Sequence, residues 1–176
     1  METLAPIRHG HLAAALFDTG RLDAPTSSQH WRVARDGEPL GSALSRRHYS
    51  ARRYADGRRP ALFVGPGEKL VLIAHDDAAL FVWRRFIDAS GQTGVNCAVF
   101  RNESTKLSSE LIADAEPFAW RRWPGQRLYT YVDADAIRST NPGFCFQRAG
   151  WRRCGVTKGG LIVLERLPHI STEGVE

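Results

Sequence analysis

The stretch from Gly94 to Glu165 most restricts what this chain can fold into, because its hydrophobic period switches repeatedly over short distances. A strand-sized apolar run, Gly94-Val-Asn-Cys-Ala-Val-Phe100, leads into a polar turn, Arg101-Asn-Glu-Ser-Thr105. Leu107, Leu111, Ile112, Ala115, Phe118 and Ala119 then recur at helical spacing, with Pro117 expected to kink the helix. A second strand, Leu128 to Val132, ends at Asp133. Asn141-Pro142 reads as an N-cap with proline at the first helical position, opening a short helix that closes near Ala149 and Gly150. Leu161 to Leu164 is the last strand. Strand, helix, strand, helix, strand with short connections implies one sheet covered by few helices.

The preceding segment has a different grammar. Ala61 to Val64, Leu70 to Ala74 and Leu80 to Trp83 are short apolar runs separated by Gly65-Pro-Gly67 and Asp76-Asp77, which predicts an antiparallel meander. Asp88 to Gly94 is a polar connection. Further upstream, Leu12 to Leu22 suits one or two helical turns, Asp23 to Ser28 a loop, and Gln29 to Ala34 a short strand. A meander followed by β-α-β-α-β gives an α+β fold, a mixed and mostly antiparallel twisted sheet flanked by a few helices. At 176 residues this is expected to be one domain, 1–176, with a weakly patterned part at 1–45 and a recognisable core at 60–165.

No apolar run approaches the roughly 20 residues that cross a bilayer, so no membrane partner is expected. Cys97, Cys145 and Cys154 are odd in number and form no C-x-x-C pair, which points to reduced thiols and a cytoplasmic location. The formal net charge of +5 is carried almost wholly by arginine, since the only lysines are Lys69, Lys106 and Lys158. This balance is compatible with a polyanionic partner. The richest segment is Ser45 to Arg59, where Arg46, Arg47, Arg52, Arg53, Arg58 and Arg59 alternate with His48, Tyr49 and Tyr54. Guanidinium groups serve phosphates and rings serve bases, so Arg46, Arg47, Arg52, Arg53 and Tyr54 are candidate DNA contacts. The alternative is a solvated, arginine-rich loop.

The candidate chemistry lies at strand ends. Tyr131 and Asp133 close the second strand of the central stretch, with Tyr129 and Tyr131 on one face by the period of two. A phenol and a carboxylate there can share the proton movements of group transfer, or Asp133 can serve only to cap the following turn. Arg101, Asn102, Glu103 and Ser104 stand where the neighbouring strand meets the long helix. Arg101 suits a carboxylate or phosphate, and Glu103 suits a proton from an attacking amine, unless the two form a plain ion pair. Ser139, Thr140 and Asn141 precede the last helix and are placed to hydrogen-bond a substrate. His48 titrates near neutrality when unperturbed, which fits acid–base work. His48, Tyr49 and Asp133 form a conceivable facial metal set, but zinc-ligand, Walker-type and Ser-His-Asp spacings are absent and no metal is assigned.

With Asn141 before the last helix and Ala149-Gly150-Trp151 at its end, residues 60 to 165 resemble the C-terminal part of GNAT-type N-acyltransferases. Two departures carry information. The loop that in acetyl-CoA-dependent members offers glycine N–H groups to a pyrophosphate corresponds here to Arg101 to Lys106, which has no glycine and includes Glu103. The tyrosine often found in the last helix as general acid is replaced by Phe144, Cys145 and Phe146. A narrower similarity is to phage Mom-type proteins, which modify adenine in DNA. It rests on His48-Tyr49 with Arg52 and Arg53, and on Tyr131-Val-Asp133. The resemblance implies a transferase that attaches a small acyl or aminoacyl-derived group to an exocyclic amine of a DNA base, an anti-restriction role, with acetyl-CoA disfavoured as donor. Tyr131, Asp133, Glu103, His48 and Tyr49 would be catalytic, and Arg101, Asn102, Ser104, Ser139 and Asn141 would bind substrate. An acetyl-CoA-dependent N-acetyltransferase of a small amine, or a non-catalytic nucleic-acid-binding module, are the alternatives.

Overall fold

The computed structural model describes residues 28–87 and 91–168. Ten elements run in the order β1 (Trp31–Ala34), α1 (Pro39–Arg47), β2 (Glu68–Ala74), β3 (Ala79–Arg85), β4 (Val95–Asn102), α2 (Ser108–Arg122), β5 (Leu128–Val132), α3 (Phe144–Arg148), β6 (Arg152–Val156) and β7 (Ile162–Arg166). The strands form one seven-stranded sheet in the order β1-β2-β3-β4-β5-β7-β6. Every pairing is antiparallel except β4 with β5. This is an α+β fold with an open, mostly antiparallel sheet and few helices. No helix among the described residues is long and apolar enough to cross a membrane.

Both faces of the central strands are covered, which is why β2 and β3 read as continuous apolar runs. On one face, Leu72, Phe81, Trp83, Cys97, Leu128 and Leu164 pack beneath Leu111, Ile112, Ala115 and Phe118 of α2. On the other, Leu44 of α1 packs with Val71, Ile73, Leu80 and Val82. Three tryptophans fasten the first face. The indole N–H groups of Trp31 and Trp83 donate to the Leu111 and Ala115 carbonyls of α2 at 2.9 and 3.0 Å. That of Trp151 donates to the buried carboxylate of Glu116 at 2.6 Å. Each ring buries apolar area while its single polar atom is satisfied, so truncating Trp83 to alanine is expected to cost about 3–5 kcal/mol. Burial raises the Glu116 pKa against the opposing effects of Trp151 and Arg166.

The structure differs from the sequence reading at several elements. Ala61 to Val64 is not a strand. The N–H groups of Phe63 and Val64 donate to Asp36 Oδ1 at 2.9 and 3.2 Å, so a side chain takes the place of a neighbouring strand. Lys69 binds the other oxygen of Asp36 at 2.8 Å. Helix α1 is an addition to the expected elements, although Pro39 stands at its start. Strand β6 is a second addition. It lies at the sheet edge with every residue exposed, and so carries no apolar alternation. Helix α2 continues through Pro117 to Arg122. The Leu12–Leu22 segment lies outside the described residues.

Two features of β4 open the sheet near its end. Its pairing with β5 is confined to Val95↔Leu128, Asn96↔Tyr129 and Cys97↔Thr130, although β4 runs on to Asn102 and β5 to Val132. Its register with β3 shifts between Val82↔Val99 and Trp83↔Cys97, leaving Ala98 as the extra residue of a bulge.

Candidate functional site

A cavity of about 410 Å3 lies where β4 and β5 cease to pair. Cys97, Ala98 and Phe100 line it from β4, Thr130 and Tyr131 from β5, and Cys145 and Phe146 from α3. Asp133 follows β5 into its wall. His48, Tyr49 and Ser50, which follow α1, line it from a third side, and Gly143 stands before α3 in the same wall. The sequence-predicted residues His48, Tyr49, Tyr131 and Asp133 therefore converge, although 82 to 85 positions separate the first pair from the second.

The convergence has visible mechanical causes. Arg47, the last residue of α1, grips Glu103 through two contacts of 2.8 and 2.7 Å. Arg101 binds the same carboxylate and also donates to the Arg47 carbonyl at 2.6 Å. The end of α1 is thus clamped to the end of β4, and His48 and Tyr49 follow immediately.

In His48, Nδ1 accepts the Ser50 N–H at 3.2 Å and meets Ser50 Oγ at 2.8 Å. The other ring nitrogen then carries the proton and donates to the Phe100 carbonyl. Desolvation first, and then the nearby Arg101 cation, lower the His48 pKa to about 4. The ring is neutral at physiological pH and stacks on Tyr49, with centroids 4.3 Å apart.

Tyr49 is 44% exposed as a residue, yet its hydroxyl end is tucked against the Asp133 backbone N–H, which donates to it. Desolvation raises its pKa, with smaller like-signed effects from Cys97, Asp133 and Cys145. A phenol that accepts one backbone hydrogen bond and stays protonated at neutral pH keeps its own O–H as a hydrogen-bond donor at the cavity wall. Its neighbours on the other walls are Cys97 and Cys145, whose thiols burial pushes upward. Such thiols are poor nucleophiles. Asp133 Oδ1 accepts the N–H groups of Asp135 and Ala136 at 3.0 and 3.3 Å, so this carboxylate orders the turn after β5 as well as facing the cavity. Tyr131 meets Tyr129 edge to face at 5.6 Å, as the shared strand face requires.

Other expected site residues lie elsewhere. Glu103 is held at a pKa of about 2, by hydrogen bonds to Arg47 and Arg101, and a carboxylate so stabilised is a weak proton acceptor. It and Arg101 form the ion pair that the sequence left open, extended to Arg47. Asn102 accepts the N–H and hydroxyl of Ser104 at 2.9 and 2.6 Å and donates to the Lys106 carbonyl at 2.8 Å. Asn102 and Ser104 therefore close the β4–α2 connection on itself and do not line the cavity. The helix N-cap is Gly143, not Asn141, because the chain turns there with φ of +83°. A Cβ at Gly143 would stand 2.6 Å from Leu164 Cδ1, which only glycine avoids. Ser139 accepts the Asn141 N–H, and both residues are exposed outside the cavity lining. Among the described residues, no three His, Cys, Asp or Glu side chains are grouped as metal ligands.

A second cavity, of about 590 Å3, lies on the α1 face of the sheet. Arg46, Arg52, Arg53, Arg58, Arg59 and Arg84 line it, and no carboxylate does. Its floor is apolar, from Phe63, Val64, Val82 and Val99. The guanidinium groups of Arg52 and Arg58 lie 5.0 and 4.3 Å from the centre of the Tyr54 ring, which is thereby occupied by cations. Arg47 is absent from this lining because Glu103 holds it. His48, Ser50 and Ala98 border both cavities. Sequence reasoning misses Gly143 as a site residue and Ala98 at the bulge, neither of which carries a titratable or motif signal of its own, and it reads Cys145 only as standing where the resembled family has a tyrosine. No protein-family description, curated protein or solved structure matches this chain.

Proposed function

We propose that this protein is a GNAT-like transferase that attaches a small acyl or aminoacyl-derived group to an exocyclic amine of a DNA base. The observation that carries this reading is the shared border of His48, Ser50 and Ala98 between an arginine-lined cavity and a cavity holding a phenol and a carboxylate. The first suits phosphates, and the second suits proton transfer. One parallel strand pair that ceases to pair midway, in an otherwise antiparallel sheet, is compatible with the GNAT-like plan suggested by the sequence.

In this reading the amine nitrogen attacks the donor carbonyl from the shared border. A C–N bond forms, the bond from the carbonyl carbon to the donor's leaving heteroatom breaks, and the amine loses a proton to the Asp133 carboxylate. Tyr49 returns a proton to the leaving heteroatom. Tyr49 thus supplies, from the chain after α1, the phenol that α3 lacks; its closeness to Cys145 supports this substitution. The glycine-free β4–α2 connection, tied by Asn102, offers no open backbone cradle for a pyrophosphate, which argues against acetyl-CoA as donor. Mass spectrometry of digested DNA from cells expressing the protein should reveal a base heavier than its parent. DNA without a heavier base, from cells that accumulate folded protein, would overturn this reading in favour of a small-amine acetyltransferase or a non-catalytic binding module.

A further inference from the structure

We infer that the arginine-lined cavity is a binding site for a single unpaired nucleotide, so that this protein selects single-stranded or extruded nucleotides over intact duplex. The inference rests on the proposed function only for the identity of the polyanion. Three properties of the cavity carry it. Its volume of about 590 Å3 lies within the roughly 300–1,000 Å3 typical of small-ligand sites. Its rim holds Arg46, Arg53 and Arg59, which have no ion-pair partner among the described residues, and its wall has no carboxylate to oppose a phosphate. Its floor is apolar, and Phe63 is fixed there against α1, whose Gly41 leaves room for the ring: a Cβ at Gly41 would stand 3.0 Å from Phe63 Cζ.

A flat surface that only neutralised phosphates would have no use for that floor. A concavity with a cationic rim and an apolar base matches an unstacked nucleotide, with phosphate at the rim and the base face on the partly exposed Phe63 and Val99. In a duplex the bases are stacked away from such a floor, and only the rim is engaged. The cavity shares His48, Ser50 and Ala98 with the second cavity, so a base seated here lies next to the border with Tyr49.

Fluorescence anisotropy with a labelled 12-nucleotide single strand, and with the same sequence as a blunt duplex at equal salt, tests this directly. The single strand should bind at least about tenfold tighter, as stacking in a groove predicts. Adenosine monophosphate should compete with the strand more effectively than inorganic phosphate does. Ala51→Trp, which fills the cavity from a segment without regular structure, should erase the preference while leaving the melting temperature in place. Equal binding of duplex and strand, equal competition by phosphate, or a preference that survives Ala51→Trp would each overturn the inference. These readouts need no turnover. A protein that prefers single strands yet leaves DNA unmodified keeps this inference and loses the transferase reading, and one that modifies duplex without the preference does the reverse.

Discussion

The two connections that flank the site treat their polar groups in opposite ways. Between β4 and α2, Asn102, Ser104, Lys106 and Glu103 are all bound: to one another, to Ser108, to Asp76 or to the arginines of the clamp. After α1, the segment from Ala51 to Arg59 carries four arginines, and only Asp56 is there to oppose them. A polar group already satisfied within the protein adds rigidity and has nothing left to offer a ligand. An unsatisfied cation on a concave wall retains its attraction for phosphate. The first connection is therefore scaffold, and the second is the surface on which the proposed nucleotide binding rests. Sequence composition alone, which marks both as polar and charged, cannot make that distinction.

The strongest way to sharpen the contrast is to disable the chemistry while leaving the cationic wall intact. Asp133→Asn and Tyr49→Phe each remove one proton-transfer group. Each should lower DNA modification by about 10²–10⁴-fold, the range for a lost general acid or base. Tyr131→Phe should have a smaller effect. Affinity for DNA should stay at the parental level in all three, because none of these residues lines the arginine cavity. Quantitative mass spectrometry of the modified base, beside anisotropy on the same preparations, separates the two effects. Parental modification levels in Asp133→Asn would reduce this carboxylate to its hydrogen bonds with Asp135 and Ala136.

The converse change removes cations and spares the chemistry. Arg53→Gln with Arg59→Gln should flatten the dependence of log affinity on log salt by about 1.8, at roughly 0.9 per duplex phosphate contact or somewhat less on single strands. Arg47→Gln should leave the slope as it is, because Glu103 already neutralises that guanidinium. A slope that responds equally to Arg47 and to Arg53 would erase the distinction between paired and unpaired arginines.

The sequence carries the central plan because α2 buries one face at helical spacing, while β5 and β7 are buried on both faces and read as short apolar runs. It fails where structure is held by other means. Phe63 and Val64 look like a strand but take their hydrogen bonds from Asp36, 27 and 28 residues away. Strand β6 is exposed throughout, so pairing with β7 leaves no mark on its hydrophobicity. Of the site, Tyr131 and Asp133 are legible from their position at a strand end, and His48-Tyr49 from the family resemblance. The sequence has no way to show that Glu103 belongs to the scaffold, since that depends on Arg47 arriving from 56 positions away.

A smaller effect is expected from the clamp itself. Glu103→Gln should change the melting temperature little, because exposed ion pairs add little stability. It should nevertheless loosen the end of α1 and let the Tyr49 phenol into water. Its titration, read as the ultraviolet difference between each protein and its Tyr49→Phe counterpart, should then fall towards the ordinary tyrosine value from the raised one set by desolvation. Modification should fall with it, by about tenfold if one positioned donor is only partly misplaced. An unchanged Tyr49 titration in Glu103→Gln would mean that stacking on His48 holds the phenol without the clamp.

The smallest effect concerns His48 and is read in stability. Its folded pKa of about 4 lies below its ordinary value of 6.5. Between those two values the unfolded chain binds a proton at this residue that the folded protein does not, so lowering the pH favours unfolding. The contribution of neutral His48 is thus fully present above pH 6.5, declines as the pH falls towards about 4, and changes no further below it. His48→Gln keeps a polar group of similar reach but cannot titrate, so its melting temperature should decline less over this window than that of the parent. Glu103 and the other carboxylates are common to both proteins, so their titration cancels in the difference. Melting curves of both proteins at half-unit steps from pH 7 to pH 4 provide the comparison. Parallel curves would show that the imidazole is already solvated in the folded state, and that the border between the two cavities is wet rather than closed by the His48–Tyr49 stack.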